Sequence, residues 1–174
     1  MKPEERLKDY PRYPTVRGEV CYQLYKAMAE DENVWLVTGD LGYKQFDAHR
    51  EDFPERFINC GASEQAMIGI ACGLAVSGKK PFVYSITNFL IYRPFEWIRN
   101  YVNHDKIPVR LLGSGLGRDY LEDGFSHQCN DIHQTMKLFK KIQKVYPTSI
   151  KSVQTMMGRM VKEDKPWFMG ITRL

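Results

Sequence analysis

The 174-residue sequence has no apolar run approaching the ~20 residues that a membrane-spanning helix needs. Residues 1–6 are charged and carry no apolar signal segment. The 25 Lys and Arg residues are scattered among 21 Asp and Glu residues, and the net charge of +4 gives no basic surface typical of nucleic-acid binding. These absences predict a soluble, cytoplasmic protein that binds neither membranes nor nucleic acids.

Cysteine is scarce, with 4 residues and no C-x-x-C pair. Cys21, Cys60 and Cys72 have apolar neighbours, so we expect reduced thiols in the core. His127 and His133 flank Cys129, but this spacing offers no fourth zinc ligand, and no metal site is predicted.

A glycine-rich segment at residues 113–118 follows an apolar stretch and resembles a dinucleotide-binding turn. Its third glycine comes one position early, and the residues after it do not open a helix. A nucleotide-binding turn is therefore not predicted here.

Short apolar segments alternate with stretches of helical spacing along the chain. The predicted strands are 33–38, 57–60, 82–85, 108–112, 142–145 and 167–171, and the predicted helices are 15–31, 63–77, 88–103, 130–139 and 149–162. This alternation predicts an α/β fold of three layers, a mostly parallel sheet with helices on both faces. We expect one domain over residues 15–174, an extended N-terminal arm over 1–14, a polar loop over 43–54 and a glycine-rich loop over 113–127.

One carboxylate stands at the junction between a predicted strand and a predicted helix. Glu64 lies in the segment Gly-Ala-Ser-Glu-Gln, directly after the apolar residues 57–60. Open α/β sheets place functional groups at such junctions. From the residues alone, the favoured interpretation is that Glu64 complements the dipole of the helix it begins.

Several motifs occur in the order found in one known family. Residues 55–65 read E-R-F-I-N-C-G-A-S-E-Q, residues 78–85 read G-K-K-P-F-V-Y-S, and residues 122–128 read E-D-G-F-S-H-Q. In this order they resemble the pyrimidine-binding domain of transketolase-type thiamine diphosphate enzymes, including the deoxyxylulose-phosphate synthases. The resemblance covers about residues 15–173 and implies the thiamine diphosphate-binding, pyrimidine-domain fold.

The resemblance implies a catalytic role for Glu64, which would bind the aminopyrimidine of thiamine diphosphate. A carboxyl bonded to the ring nitrogen favours the imino tautomer, whose nitrogen removes the C2 proton, so the cofactor serves as its own base. Phe89, Tyr92 and Phe95 would line the pyrimidine pocket, although an ordinary core stripe has the same spacing. The chain departs from the family at Arg93 and at Pro94, which interrupts the helix.

The resemblance also assigns substrate-binding residues. His127 would hold substrate hydroxyls or transfer protons, and Asp123 would contact a sugar hydroxyl. Arg17 would bind a substrate phosphate, a role that suits its guanidinium, although a surface arginine on the first helix is an alternative. Phe125 and Ser126 replace the Pro-Thr common in the family.

The sequence lacks the G-D-G…N segment with which the family binds the cofactor's diphosphate through a metal ion, and it lacks the family's small C-terminal domain. We therefore expect one subunit of a split, two-component enzyme that transfers a ketol unit between sugars or sugar phosphates. A second subunit would hold the diphosphate and Mg²⁺, in a heterotetramer that also self-associates through the pyrimidine domain. Two alternatives remain open: a subunit of a thiamine-dependent 2-oxoacid decarboxylase or dehydrogenase, and a non-catalytic regulatory or scaffolding partner.

Overall fold

The short apolar segments of the sequence form the strands of a single sheet. A computed structural model describes residues 3–173 and gives a six-stranded, fully parallel sheet of order β2-β1-β3-β4-β6-β5. The strands are β1 (Val34–Thr38), β2 (Phe57–Asn59), β3 (Lys80–Ile86), β4 (Arg110–Ser114), β5 (Gln143–Val145) and β6 (Trp167–Ile171). All six lie at or within two residues of the predicted segments, and the predicted α/β fold is confirmed.

The helices cover both faces of this sheet. They are α1 (Pro3–Asp9), α2 (Val16–Glu30), α3 (Asp47–Asp52), α4 (Glu64–Val76), α5 (Thr87–Tyr92), α6 (Phe95–Trp97), α7 (Ile132–Met136) and α8 (Ile150–Lys162), with a π-helical segment at Ile98–His104. Thr15 begins α2 as predicted, since its hydroxyl accepts a hydrogen bond from the Gly18 amide at 3.0 Å. Within residues 3–173, no helix is long and apolar enough to cross a bilayer.

Each central strand sends alternate side chains to opposite faces, so the sheet is buried on both sides. On one face, residues of α2 and α8 pack against side chains such as Phe82 and Leu112. On the other face, residues of α4, α5 and α7 pack against Val83 and Leu111, which are paired in register. The core therefore lies in two layers, one on each side of the sheet.

Two sequence predictions for the N-terminal third are wrong. Residues 3–9 of the predicted extended arm form α1, and the predicted polar loop contains α3. The two helices contact each other, because Arg6 pairs with Glu51 at 2.8 Å and with Asp52 at 2.9 Å. This contact joins residues about 45 positions apart, which local sequence patterns do not report. Residues 1 and 2 of the arm lie outside the described residues.

The continuous helix predicted over 88–103 is also wrong. The helix stops after Tyr92, a turn carries Pro94, and α6 and the π-helical segment follow. Proline has no amide hydrogen and its ring clashes with the preceding helical turn, so it separates α5 from α6. The side chains on either side of Pro94 therefore do not share one straight helix face.

His49 is a fully buried histidine in the segment where the sequence predicted only a polar loop. Its Nε2 lies 3.2 Å from the Cys21 carbonyl oxygen, and its Nδ1 has no hydrogen-bond partner among the described residues. The rings of Tyr25 and Phe46 meet it edge-on, at 5.3 Å and 5.0 Å between centroids. Burial lowers the pKa of His49 to about 3, so the imidazole is neutral in the fold.

Acidification below pH 6.5 should destabilise the protein through His49. An unfolded histidine takes up a proton near pH 6.5, whereas folded His49 stays neutral down to about pH 3, so the unfolded state binds more protons in this window. The free energy of unfolding then falls as the pH falls. We expect His49→Phe to flatten the pH dependence of the Tm between pH 6.5 and pH 4, measured by calorimetry. His104→Phe, at an exposed position, is the control, and equal slopes in both variants would contradict the prediction.

The carboxyl ends of the parallel strands meet at one edge of the sheet. From β1 the chain crosses to β2 on one side, whereas from β3 it crosses to β4 on the other, so the direction reverses between β1 and β3. Open α/β sheets bind ligands in the crevice at such a reversal. The segments that leave this edge contain Glu64, Phe89 and His127.

Candidate active site

Glu64 is the first residue of α4, and its side chain is only 4% exposed. Its Oε1 accepts a hydrogen bond from Arg93 Nη1 at 2.8 Å, and no other hydrogen bond to this carboxylate occurs among the described residues. A buried carboxylate needs a partner, and the guanidinium and the positive end of the helix dipole both supply compensating charge. The second oxygen, Oε2, is available to accept a hydrogen bond from a ligand.

Asn59 fixes the loop that carries Glu64 to the edge of the sheet. Its Oδ1 accepts hydrogen bonds from the amides of Asp40, at 2.8 Å, and Gly61, at 3.0 Å. It thereby ties the segment after β1 to the segment after β2. Gly61 has a φ of +64°, a conformation that glycine adopts at little cost. The position of Glu64 therefore depends on a short, locally specified turn.

Phe89 connects two other predicted site residues, Glu64 and His127, because it contacts His127 directly and Glu64 through Arg93. The Arg93 guanidinium lies 3.7 Å from the centroid of its ring. The ring of His127 meets it edge-on, with 4.8 Å between centroids. Glu64, Arg93, Phe89 and His127 thus form a continuous series of contacts, which we call the Glu64 cluster.

Tyr92 and Phe95 do not join the Glu64 cluster. The Tyr92 hydroxyl hydrogen-bonds with Thr135 Oγ1 at 2.9 Å, and burial raises the pKa of this phenol to about 12. Phe95 packs against Phe139 in the core, with 5.1 Å between ring centroids. The break at Pro94 separates Phe95 from Phe89 and Tyr92, which both lie on α5. Tyr92 instead lines a neighbouring cavity of ≈ 490 Å³ together with Asn88, Phe125, Gln128, Asn130 and Asp131.

His127 ends the loop that follows β4. Its Nδ1 lies 3.1 Å from Ser126 Oγ, and the Ser126 carbonyl accepts a hydrogen bond from the Asn88 amide group. These contacts hold the loop against α5. Asp123 lies in a 3₁₀ turn of the same loop and is exposed, so it is free to meet a ligand from solvent.

Arg17 lies at the carboxyl edge, beside the reversal between β1 and β3. It lines a cavity of ≈ 200 Å³ with Leu41, Gly42, Tyr43, Gln45, Tyr84, Ile86 and Tyr120. When the Gln45 amide is oriented to satisfy its hydrogen bonds, its oxygen accepts from Arg17 Nε at 2.8 Å and from Nη2 at 3.2 Å. Arg17 therefore faces a cavity at this edge of the sheet, and its role in binding a substrate phosphate stays a prediction.

Arg173 is a site residue that sequence reasoning missed. It follows β6 at the same edge, and its guanidinium lies 5.1 Å from the Tyr120 ring centroid. Tyr120 packs over Gly115, whose φ of +83° and missing side chain leave room for the ring. A basic residue two positions after the last strand was the available signal. Arg173 contacts Tyr120, which lines the same cavity as Arg17.

The site combines a buried carboxyl, an aromatic ring, an imidazole and three guanidinium groups at one edge. The carboxyl and ring suit a flat nitrogen heterocycle, through one hydrogen bond and one stacking contact. The guanidinium groups of Arg17 and Arg173 suit a phosphate. Within residues 3–173, no three His, Cys, Asp or Glu side chains lie together as metal ligands would. The residues present fit the aminopyrimidine half of thiamine diphosphate.

The chain is similar to curated proteins over most of its length. Among curated relatives, a protein of Methanocaldococcus jannaschii named "Putative transketolase C-terminal section" is 34% identical over 158 residues, 90% of this chain and 49% of that protein. A subunit of apulose-4-phosphate transketolase from Phocaeicola vulgatus is 26% identical over 151 residues, 86% of this chain and 48% of that protein. The chain therefore spans about half the length of these two relatives.

Solved structures share the fold. A split-gene transketolase described as an inactive β4 tetramer matches with a TM-score of 0.80 and 25% identity, over 91% of this chain and 51% of that chain. Transketolase from Campylobacter jejuni matches with a TM-score of 0.81 and 20% identity, over 98% of this chain and 29% of that chain. Residues 15–174 match the family described as "Transketolase, pyrimidine binding domain". Because this match covers far more than half of the sequence, the chain belongs to the family of transketolase pyrimidine-binding domains.

Proposed function

We propose that this chain is the pyrimidine-binding subunit of a split, thiamine diphosphate-dependent transferase that moves a ketol unit between sugars or sugar phosphates. The observation that carries the proposal is the buried carboxyl of Glu64, which begins α4 beside the Phe89 ring at the carboxyl edge of the sheet. A cytoplasmic location fits its four free cysteines.

The residues of this chain divide between cofactor and substrate. When bound, thiamine diphosphate supplies the carbon nucleophile of the reaction. Glu64 holds a proton against the aminopyrimidine nitrogen, the Phe89 ring excludes water from the heterocycle, and Tyr92 lines the neighbouring cavity. His127, beside Phe89, moves a proton to or from a substrate hydroxyl. Phe95, on the core side, supports the pocket without touching the ring.

The other end of the site receives the substrate. Asp123 accepts a hydrogen bond from a sugar hydroxyl, and Arg17 binds a phosphate through its planar fork of N–H donors. Arg173 adds a second positive charge beside Tyr120. The arrangement favours a phosphorylated sugar, because a sugar with an uncharged end would leave the guanidinium groups of Arg17 and Arg173 without an anion.

The proposal requires a second chain. This partner subunit would supply the diphosphate site and the Mg²⁺ ligands, and two pairs of one chain and one partner subunit would form a heterotetramer. Glu64 begins α4, so a cofactor held mainly by another chain brings that chain against this helix. We call the exposed side of α4 the α4 face, and it consists of Ala66, Gly69, Ile70 and Gly73 with Trp97 and Tyr101 beside it.

Calorimetric titration tests the proposal directly. Thiamine diphosphate with Mg²⁺ is added to the chain alone and to the chain co-purified with a subunit carrying the diphosphate-binding segment. We expect tight binding only in the pair, followed by transfer from a ketose phosphate to an aldose phosphate. Turnover of a 2-oxoacid alone would favour the decarboxylase interpretation, and an assembled pair without turnover would favour a scaffold. Tight binding and ketol transfer by the isolated chain would contradict the split architecture.

Arg17→Met should raise the KM for a phosphorylated ketose about 10- to 100-fold, because a hydrogen bond to a charged group contributes about 1.5–3 kcal/mol. We expect a much smaller change with the unphosphorylated sugar and little change in kcat, since the phosphate is remote from the reacting carbon. Arg50→Met, at an exposed arginine of α3, is the control. Steady-state kinetics on both substrates makes the measurement, and equal effects on both would contradict the phosphate assignment.

A further inference from the structure

Arg93 makes two contacts at once, and both involve residues proposed to bind the aminopyrimidine. Its Nη1 donates to Glu64 Oε1 at 2.8 Å, and its guanidinium carbon lies 3.7 Å from the centroid of the Phe89 ring. The plane of the cation therefore covers the aromatic ring while its edge meets the buried carboxylate. No other cation contacts Glu64 among the described residues.

The guanidinium and an aminopyrimidine offer the same pair of contacts. Both are flat, both stack on an aromatic face, and both hydrogen-bond with a carboxyl group at their edge, the guanidinium by donating its N–H and the aminopyrimidine through the ring nitrogen against which the carboxyl holds a proton. A stacking distance of 3.7 Å leaves no space for a second flat group between Arg93 and that face of Phe89. Occupation of that face and of Oε1 by Arg93 therefore excludes the ring from the same two contacts.

The side chain of Arg93 can move away from Glu64 and Phe89 without a change in the backbone. The side chain is 47% exposed, in contrast to the 4% of Glu64. It lies in the turn between α5 and α6, directly before the buried Pro94, whose ring restricts the local backbone. Rotation of the flexible stem into solvent breaks one hydrogen bond and one stacking contact and disturbs no core residue.

We propose that Arg93 is a latch that covers Glu64 and Phe89 in the cofactor-free chain and swings out when the aminopyrimidine binds. This inference rests on the proposed function, because the displacing group is the aminopyrimidine of the proposed cofactor. The latch also keeps the buried carboxylate paired before the cofactor arrives. If it is closed about 90% of the time, the apparent affinity for the ring is ~10-fold weaker than that of the open site.

The test uses the isolated ring as the probe. 4-Amino-5-hydroxymethyl-2-methylpyrimidine is titrated into the full chain, and binding is followed by NMR chemical shifts of Glu64 and Phe89. We expect Arg93→Met to bind the probe ~10-fold more tightly than the unmodified chain. Arg99→Met is the matched control, since Arg99 is an exposed arginine of the same region that hydrogen-bonds only to Asn100 among the described residues. The affinity of Arg99→Met for the probe should equal that of the unmodified chain.

A second readout follows the latch itself. In the free chain the Arg93 Nε–H signal should carry the ring-current shift of Phe89, and the probe should move it to the position of a solvent-exposed arginine. Arg93→Lys, which keeps the charge but loses the flat stack, should show an intermediate gain in affinity and serves as the second variant if Arg93→Met is unstable.

The outcomes separate the latch from the proposed function. Probe binding that is unchanged or weaker in Arg93→Met, or an Arg93 signal that does not move, would overturn the latch and leave the proposed function intact. Failure of the unmodified chain and of both variants to bind the probe at millimolar concentration would overturn the latch and the proposed function together.

Discussion

Glu64→Gln should reduce turnover of the assembled enzyme by at least ~100-fold, at the low end of the effect of a lost acid–base group. The amide has nearly the same size as the carboxyl and can still accept a hydrogen bond from Arg93 through its oxygen. It cannot, however, exchange a proton with the aminopyrimidine nitrogen. The loss should therefore appear in kcat, while thermal unfolding and assembly with the partner subunit change little.

Glu96→Gln provides the matched control for this substitution. Glu96 is an exposed glutamate of α6, a few residues from the site, and its replacement removes one charge without touching the Glu64 cluster. Kinetics, calorimetric melting and light scattering on both variants make the comparison. If Glu64→Gln kept more than about half of the activity, the carboxyl would have only the structural role of compensating the α4 dipole.

Gly73→Arg should strongly weaken assembly of the chain with its partner subunit while leaving its own fold intact. Nothing lies within 4 Å of a side chain added at Gly73, so the arginine has room in the monomer. In the complex, the same side chain would place an unpaired charge in the interface proposed for the α4 face. A buried unpaired charge costs several kcal/mol, and we expect the dissociation constant to rise at least ~100-fold.

Gly158→Arg is the control for assembly, because Gly158 is also a helical glycine with nothing within 4 Å, on α8 at the opposite side of the sheet. Both substitutions replace a poor helix former and should raise monomer stability by up to about 1 kcal/mol. Sedimentation then reports the oligomeric state of each variant. Equal assembly of the two variants would exclude the α4 face from the interface.

Local sequence patterns were sufficient for most of the fold. Strands such as β3 and β6 are short, apolar and buried on both faces, and a strand of that kind is recognised without knowledge of its neighbours. The two missed helices, α1 and α3, are joined instead by ion pairs between Arg6 and residues 51–52 and pack against the core through residues such as Leu7 and Ala48. Their stability comes from a contact between distant segments, which periodicity does not detect.

The candidate site was predicted in part. Glu64 and His127 were found because their motifs mark strand ends, and the parallel sheet brings strand ends to one edge. The shared surface expected for Phe89, Tyr92 and Phe95 assumed an unbroken helix. The turn at Pro94 separates Phe95 from the other two, and the Tyr92 hydroxyl hydrogen-bonds with Thr135 outside the Glu64 cluster. Their roles in binding the cofactor remain predictions.

The sequence by itself determined the parallel α/β architecture, the family resemblance and the carboxyl at the start of α4, because these depend on residue type and local spacing. Only the tertiary structure decided the partners of that carboxyl. Arg93 stood out in the sequence as a departure from the family, yet in the fold it pairs with Glu64 and covers Phe89. The reason is physical: which group compensates a buried charge depends on how separate segments pack, and that packing is a property of the whole fold.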